Sequence, residues 1–120
     1  MKHLLNAVRV HRHPYTYGDK KHEEPWKQAV ANEVRRHWHG GYLERPVRVS
    51  LRFFLARDYD LTGMLESTVN GIAHVAFPPS KKGGAKTKWN HQDEWVYEIA
   101  ASKELGHAAD PGVEITLDEL

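Results

Sequence analysis

Cysteine is absent from the 120 residues of this chain. Its absence excludes disulfide bonds and thiolate metal ligands, and it is typical of a protein in a reducing compartment. Long apolar runs are also missing. A membrane-spanning helix needs about 20 consecutive apolar residues, and no segment approaches that length. The apolar run that follows Met1 is too short for a signal peptide. We therefore expect a cytoplasmic protein with no membrane partner.

Charge is nearly balanced over the whole chain, at +1, but it is unevenly distributed. Residues 1–57 contain 12 Lys and Arg against 5 Asp and Glu, whereas residues 58–120 contain 5 against 11. Two arrangements are consistent with this asymmetry. A basic DNA-binding face can lie beside an acidic metal-binding cluster. Alternatively, the two halves interleave in the fold and the asymmetry disappears.

The hydrophobic pattern predicts elements in the order β-α-β-α-β-β. We predict a strand over residues 4–10, a helix that begins at Glu23 and ends before Gly40, a strand over residues 47–55, a helix for which Asp60 is the N-cap, and strands over residues 95–99 and 113–117. A chain of this length supports one hydrophobic core. We therefore expect one α/β (α+β) domain over residues 1–120, with helices packed on a mixed sheet of about four strands.

Residues 78–92 interrupt this pattern, and their content of Pro, Gly and Lys predicts a flexible basic loop. Lysines on such a loop suit contacts with DNA phosphates, which are electrostatic and independent of sequence. A solvated surface loop is the alternative, but DNA contact is favoured because the loop leads directly into Asp93. The candidate DNA contacts are Lys81, Lys82, Lys86 and Lys88, with Trp89 as a platform for base stacking.

Carboxylates lie at the ends of the predicted elements. Asp58 and Asp60 follow the second strand, Glu66 lies on the next helix, and Asp93 and Glu94 open the third strand. Mg²⁺ prefers oxygen ligands of this kind, and bound Mg²⁺ can activate water and stabilise a phosphodiester transition state. The alternative is that these acids are solvated or interact with helix ends.

Histidine is abundant, with nine residues, but no histidine pair has the helical i,i+4 spacing with Glu that is typical of a zinc motif. His91 lies two residues before Asp93 and is the histidine of most interest. Three longer motifs in the sequence carry further information about function.

These three motifs are Tyr15-Thr16-Tyr17-Gly18-Asp19-Lys20-Lys21 before the first helix, Asp60-Leu61-Thr62-Gly63-Met64-Leu65-Glu66 at the second, and Gln92-Asp93-Glu94-Trp95-Val96 at the third strand. In the residues of these motifs and in the spacing between them, the chain resembles the RusA family of Holliday junction resolvases over approximately residues 8–117. The resemblance implies a homodimeric, Mg²⁺-dependent endonuclease that binds and cleaves branched DNA in recombination and repair.

The resemblance also implies roles for individual residues. Asp60 and Asp93 keep the family's acids and are the implied catalytic residues and metal ligands, while Glu66 occupies a further catalytic position. We expect Asp58, Glu66 and Glu94, which are this chain's own nearby acids, to be auxiliary metal ligands. Lys20 and Lys21 belong to the basic stretch and are implied DNA contacts.

The chain departs from the family's pattern at several of its polar positions. Thr62 and Gln92 stand where the family has acids, and Glu66 stands where it has lysine. The alternatives are a DNA-binding protein on the same fold that does not cleave, and a metal-binding or protein-interaction domain with no nucleic-acid role.

Overall fold

The computed structural model describes residues 2–16, 18, 20–80 and 88–120. The elements follow the predicted order and are β1 (Lys2–Val10), α1 (Glu23–His37), β2 (Val47–Phe54), α2 (Leu61–Ala76), β3 (Val96–Glu104) and β4 (Gly112–Glu119). Short 3-10 turns at Lys20–His22 and Asp93–Trp95 precede α1 and β3. The predicted fold class, a mixed four-stranded sheet with helices packed on it, is confirmed.

The sheet has the strand order β1-β4-β2-β3. β4 pairs antiparallel with both β1 and β2, whereas β2 and β3 are parallel. A parallel pair requires a crossover connection, and α2 is the α-helix of that connection. The strand that comes last in the sequence therefore lies between the first two.

The core lies between the helices and one face of the sheet. In β2, Val47, Val49, Leu51 and Phe53 are buried, and the alternating pattern places the intervening polar residues on the opposite face. Trp26 of α1 is fully buried, and its Nε1 donates a hydrogen bond of 3.1 Å to Thr68 Oγ1 of α2.

The helices approach closely at Gly71. A Cβ atom there would lie 2.8 Å from the Val30 side chain, so glycine at this position allows α1 and α2 to pack in direct contact.

The strand order also resolves the charge asymmetry, because strands from the basic half alternate with strands from the acidic half across the sheet. Arg48 Nε lies 2.7 Å from Glu98 Oε2, and Arg52 Nη2 lies 2.6 Å from Glu104 Oε2. Arg45 pairs with Glu119 at 2.5 Å. Among the described residues, the two halves of the sequence therefore interleave.

The described parts of the predicted 78–92 loop pair with each other. The Ser80 amide donates to the Asn90 carbonyl at 2.9 Å, the Gln92 amide donates to the Pro78 carbonyl at 2.9 Å, and Pro79 and His91 form an isolated antiparallel bridge. Lys81, Lys82 and Lys86 lie outside the described residues. In the part of the chain that the structure describes, no helix is both long and apolar enough to cross a membrane.

Candidate functional site

A small polar cleft of about 140 Å³ opens between the segment before α1, α1 itself and the first half of α2. Side chains of both charges line it: Tyr15, Lys20, Glu23, Lys27, Glu66, Ser67 and Asn70, with Gly63. Lys27 Nζ lies 3.0 Å from Glu23 Oε1, one helical turn earlier. The cleft thus brings together Lys20, a predicted DNA contact, and Glu66, a predicted catalytic residue.

Asp93 stands out among the predicted site residues for its electrostatic surroundings. Partial burial raises the pKa of the Asp93 carboxyl, and the negative charges of Glu94 and then Glu66 raise it further. These three acids come from the 3-10 turn before β3 and from α2, so the fold has brought two of the predicted motifs together. A cation beside Asp93 would offset the repulsion among them.

Asp58 and Asp60 lie elsewhere. Lys103 Nζ pairs with Asp58 Oδ1 at 2.6 Å and also donates to the Tyr59 carbonyl at 2.9 Å. Asp60 follows Tyr59 directly and occupies the predicted N-cap position of α2, where its side chain makes no capping hydrogen bond. These contacts hold the 58–60 segment at the C-terminal end of β3.

Asp60 and Asp93 are consequently at opposite ends of β3. Val96, the first residue of β3, pairs with the first residue of β2, and Lys103 lies seven residues later, about 23 Å along the strand. The expectation that Asp60 and Asp93 are ligands of one ion, each at about 2.0–2.1 Å, is therefore not met in this arrangement. In the described ranges, no three His, Asp or Glu side chains form a group that could hold a metal ion.

The candidate DNA contacts that the structure describes lie near the same cleft. Lys20 and Lys21 are exposed in the 3-10 turn before α1. Lys88 is exposed, and its Nζ donates a 2.7 Å hydrogen bond to Gln28 Oε1 of α1. Trp89 is buried, with the Lys88 ammonium 4.8 Å from its ring centroid, so a nucleobase would reach this ring only after neighbouring side chains had moved.

The sequence did not identify Lys27 as a site residue, because the pattern around it is that of an ordinary amphipathic helix. One signal was present, since Lys27 follows the buried Trp26 and precedes the buried Val30 by three residues, near the face that α1 presents to α2.

Comparison with models of known protein families gives no match for this chain. Comparison with the sequences of curated proteins likewise finds no match.

Proposed function

We propose that this protein binds branched DNA and cleaves it in a Mg²⁺-dependent reaction, as an endonuclease of RusA-like type. The observation that supports this best is Asp93, an acid with a raised pKa that lies near two further carboxylates, one of which lines a cleft with Lys20 and Lys27. Carboxylates beside lysines are what a phosphodiester substrate and its cation require together.

The residues present suit Mg²⁺ because their donors are carboxylate oxygens. Mg²⁺ is usually bound through one or two carboxylates together with water and substrate phosphates. Asp93 and Glu94 would supply the carboxylates, and Glu66 would add negative charge from α2. When bound, the ion would supply electrostatic stabilisation of the phosphodiester transition state.

The lysines of the cleft have the complementary role. Lys20 and Lys27 would neutralise and orient a DNA phosphate at the edge of the cleft, which Glu66 also lines. Glu23, which pairs with Lys27, holds that ammonium in the cleft.

The direct test is incubation of the full chain with a synthetic four-way junction, with Mg²⁺ and with EDTA, and with a linear duplex of the same sequence as the control. We expect nicks in the junction only when Mg²⁺ is present, and little cleavage of the duplex. A junction that binds tightly but stays intact in Mg²⁺ would contradict the nuclease proposal.

A DNA-binding protein that does not cleave is the second candidate. The observation in its favour is the position of Asp58 and Asp60, which Lys103 holds at the far end of β3 from Asp93. Gel-shift and cleavage measurements on the same junction separate the two candidates, because only the nuclease gives products.

Alanine substitution of Lys81, Lys82, Lys86 and Lys88 should weaken junction binding and its dependence on salt. For every phosphate that is no longer neutralised, the slope of log K against log salt should fall by about 0.9. Arg36→Ala is the matched control, because Arg36 is exposed in the last turn of α1 and pairs with Glu33. An unchanged slope in the lysine variant would show that the loop does not contact DNA.

We also propose that the protein is a homodimer and that β3 forms its interface. The two edges of the sheet differ. β1 has two register shifts against β4 and a positive φ of 51° at Ala7, irregularities that protect an edge strand from pairing. β3 keeps its register with β2 from Arg48 to the end and exposes Tyr97 and Ile99.

The backbone of β3 indicates how two copies would pair. The Leu55 amide donates to the Glu104 carbonyl. The backbone N–H and C=O groups of every second residue from Glu104 back to Glu98 therefore point towards β2, and those of the residues between them point away from β2, at the open edge of the sheet. An antiparallel pair centred on Ala100 would place Tyr97 opposite Lys103 and Ile99 opposite Ala101. No like charges would face each other across this pair.

Ala101→Pro tests this interface. The Ala101 amide points away from β2, so proline should remove an intermolecular hydrogen bond and leave the fold intact, as proline does on solvent-facing strand edges. Sedimentation should show a dimer of the 13.8 kDa chain for the parent and a monomer for Ala101→Pro. Leu120→Lys, at another exposed apolar residue, should remain dimeric. A monomeric parent at micromolar concentration would overturn the proposal.

A further inference from the structure

Two histidines outside the carboxylate site lie against each other where α2 meets the 88–92 segment. His74 is in the last turn of α2, and His91 forms the isolated bridge with Pro79. Their ring centroids are 4.8 Å apart with an interplanar angle of 66°. Both side chains are only partly accessible.

The hydrogen bonds of these rings fix their tautomers. His74 Nδ1 lies 2.8 Å from the Lys88 carbonyl oxygen, and His91 Nδ1 lies 2.6 Å from the Phe77 carbonyl oxygen. A carbonyl oxygen only accepts, so Nδ1 carries the hydrogen in each ring. The neutral form of each imidazole therefore has its lone pair on Nε2.

We propose that His74 and His91 bind one divalent transition-metal ion of the zinc type through their Nε2 atoms, with water in the remaining positions. Metal-binding histidines almost always donate their other ring N–H to a carbonyl or carboxylate, as both rings do here. Two Nε2 atoms about 2.0–2.1 Å from a shared ion place the ring centroids roughly 4.5–5.3 Å apart, which includes the observed separation.

The surroundings favour neutral imidazole and an ion that prefers nitrogen. Burial lowers the pKa of His74, and the positive charges of His91, Arg35 and Lys88 lower it further, against the opposing effect of the Lys88 carbonyl. Two aromatic rings lie beside the pair: the ring centroids of Trp89 and His74 are 4.9 Å apart, and those of Tyr42 and His91 are 6.0 Å apart. Imidazole suits Zn²⁺, Ni²⁺ and Cu²⁺ rather than Mg²⁺, so this ion is distinct from the proposed nuclease cofactor.

An ion at this pair would also have a structural effect. It would join the end of α2 to the segment that leads, two residues later, to Asp93. The positive charges of Arg35 and Lys88 act on His74 and oppose the binding of a cation. We therefore expect the dissociation constant for Zn²⁺ to lie in the micromolar range and not below it.

The test is calorimetric titration of the full chain with ZnCl₂ at neutral pH, with MgCl₂ as the ion control. We expect one equivalent of Zn²⁺ to bind. The informative variants are His74→Asn and His91→Asn, because asparagine can still donate to the same carbonyl oxygen but has no atom in the place of Nε2. Each should weaken Zn²⁺ binding at least tenfold, with the circular dichroism spectrum unchanged.

The matched control is the double variant His37→Ala and His39→Ala, which removes two histidines near the end of α1. It should bind Zn²⁺ like the parent. A second readout that does not depend on affinity is the ¹⁵N chemical shift of Nε2, which should move on Zn²⁺ addition for His74 and His91. Loss of binding in the His37/His39 variant, parental affinity in the asparagine variants, or no binding below about 1 mM would each overturn the proposal.

Discussion

Asp93→Asn is expected to abolish cleavage of a four-way junction while leaving junction binding intact or stronger. Loss of a metal-binding carboxylate removes several kcal/mol of transition-state stabilisation, and about 2.7 kcal/mol already corresponds to 100-fold in rate. Binding should not suffer, because the substitution removes a negative charge that would face DNA phosphates in the proposed complex. Single-turnover cleavage and gel-shift measurements on one junction give both quantities.

The matched control for this variant is Asp110→Asn. Asp110 is exposed near the other edge of the sheet, where a hydrogen bond from His11 lowers the pKa of the Asp110 carboxyl and the positive charges of His11 and Arg9 lower it further, the opposite direction to Asp93. Its replacement should leave cleavage unchanged. Parental cleavage by Asp93→Asn, with both variants folded, would show that Asp93 does not bind a catalytic ion.

Gly112→Ala is expected to have the largest effect on stability. Gly112 begins β4 at the point where β1 ends, and a Cβ atom there would lie 1.8 Å from the Val10 carbonyl oxygen. The clash is with backbone, so a change of side-chain rotamer does not relieve it. We expect the free energy of unfolding to fall by about 3 kcal/mol or more, measured by urea denaturation.

Gly41→Ala is the matched control, because a Cβ atom at Gly41 would have no contact within 4 Å among the residues that the structure describes. Its effect should stay within about 0.5 kcal/mol, as for most surface substitutions. Equal stability of the two variants would mean that the backbones of β1 and β4 are further apart at Val10 and Gly112 than the structure places them.

The element types and their order could be predicted because periodicity is a local property. The alternation in β2 and the helical spacing after Asp60 led directly to elements that the structure contains. β3 was predicted too short, over residues 95–99 instead of Val96–Glu104. Both of its faces are largely exposed, so the Ala-Ala-Ser stretch in its second half has no alternation to indicate a strand.

The arrangement of the site was harder to predict. The sequence places Asp60 after one strand and Asp93 before the next, which suggested that the two would meet if the strands were neighbours. β2 and β3 are neighbours, but they are parallel, so the exit of one and the start of the other lie at opposite ends. The pair His74–His91 depends on tertiary packing, which no spacing in the sequence reveals, and for Lys27 the only sequence signal is its spacing from Trp26 and Val30.

The position of β4 has a consequence for how the chain assembles. Of the four strands that the structure describes, only β2 and β3 are neighbours both in the sequence and in the sheet, while β1 pairs with β4 about a hundred residues later. Until β4 is in place, β1 has no partner strand, and β2 has one on a single side. Completion of the sheet therefore closes a long loop, and we expect the entropy of that closure, more than the stability of any helix, to set the folding rate.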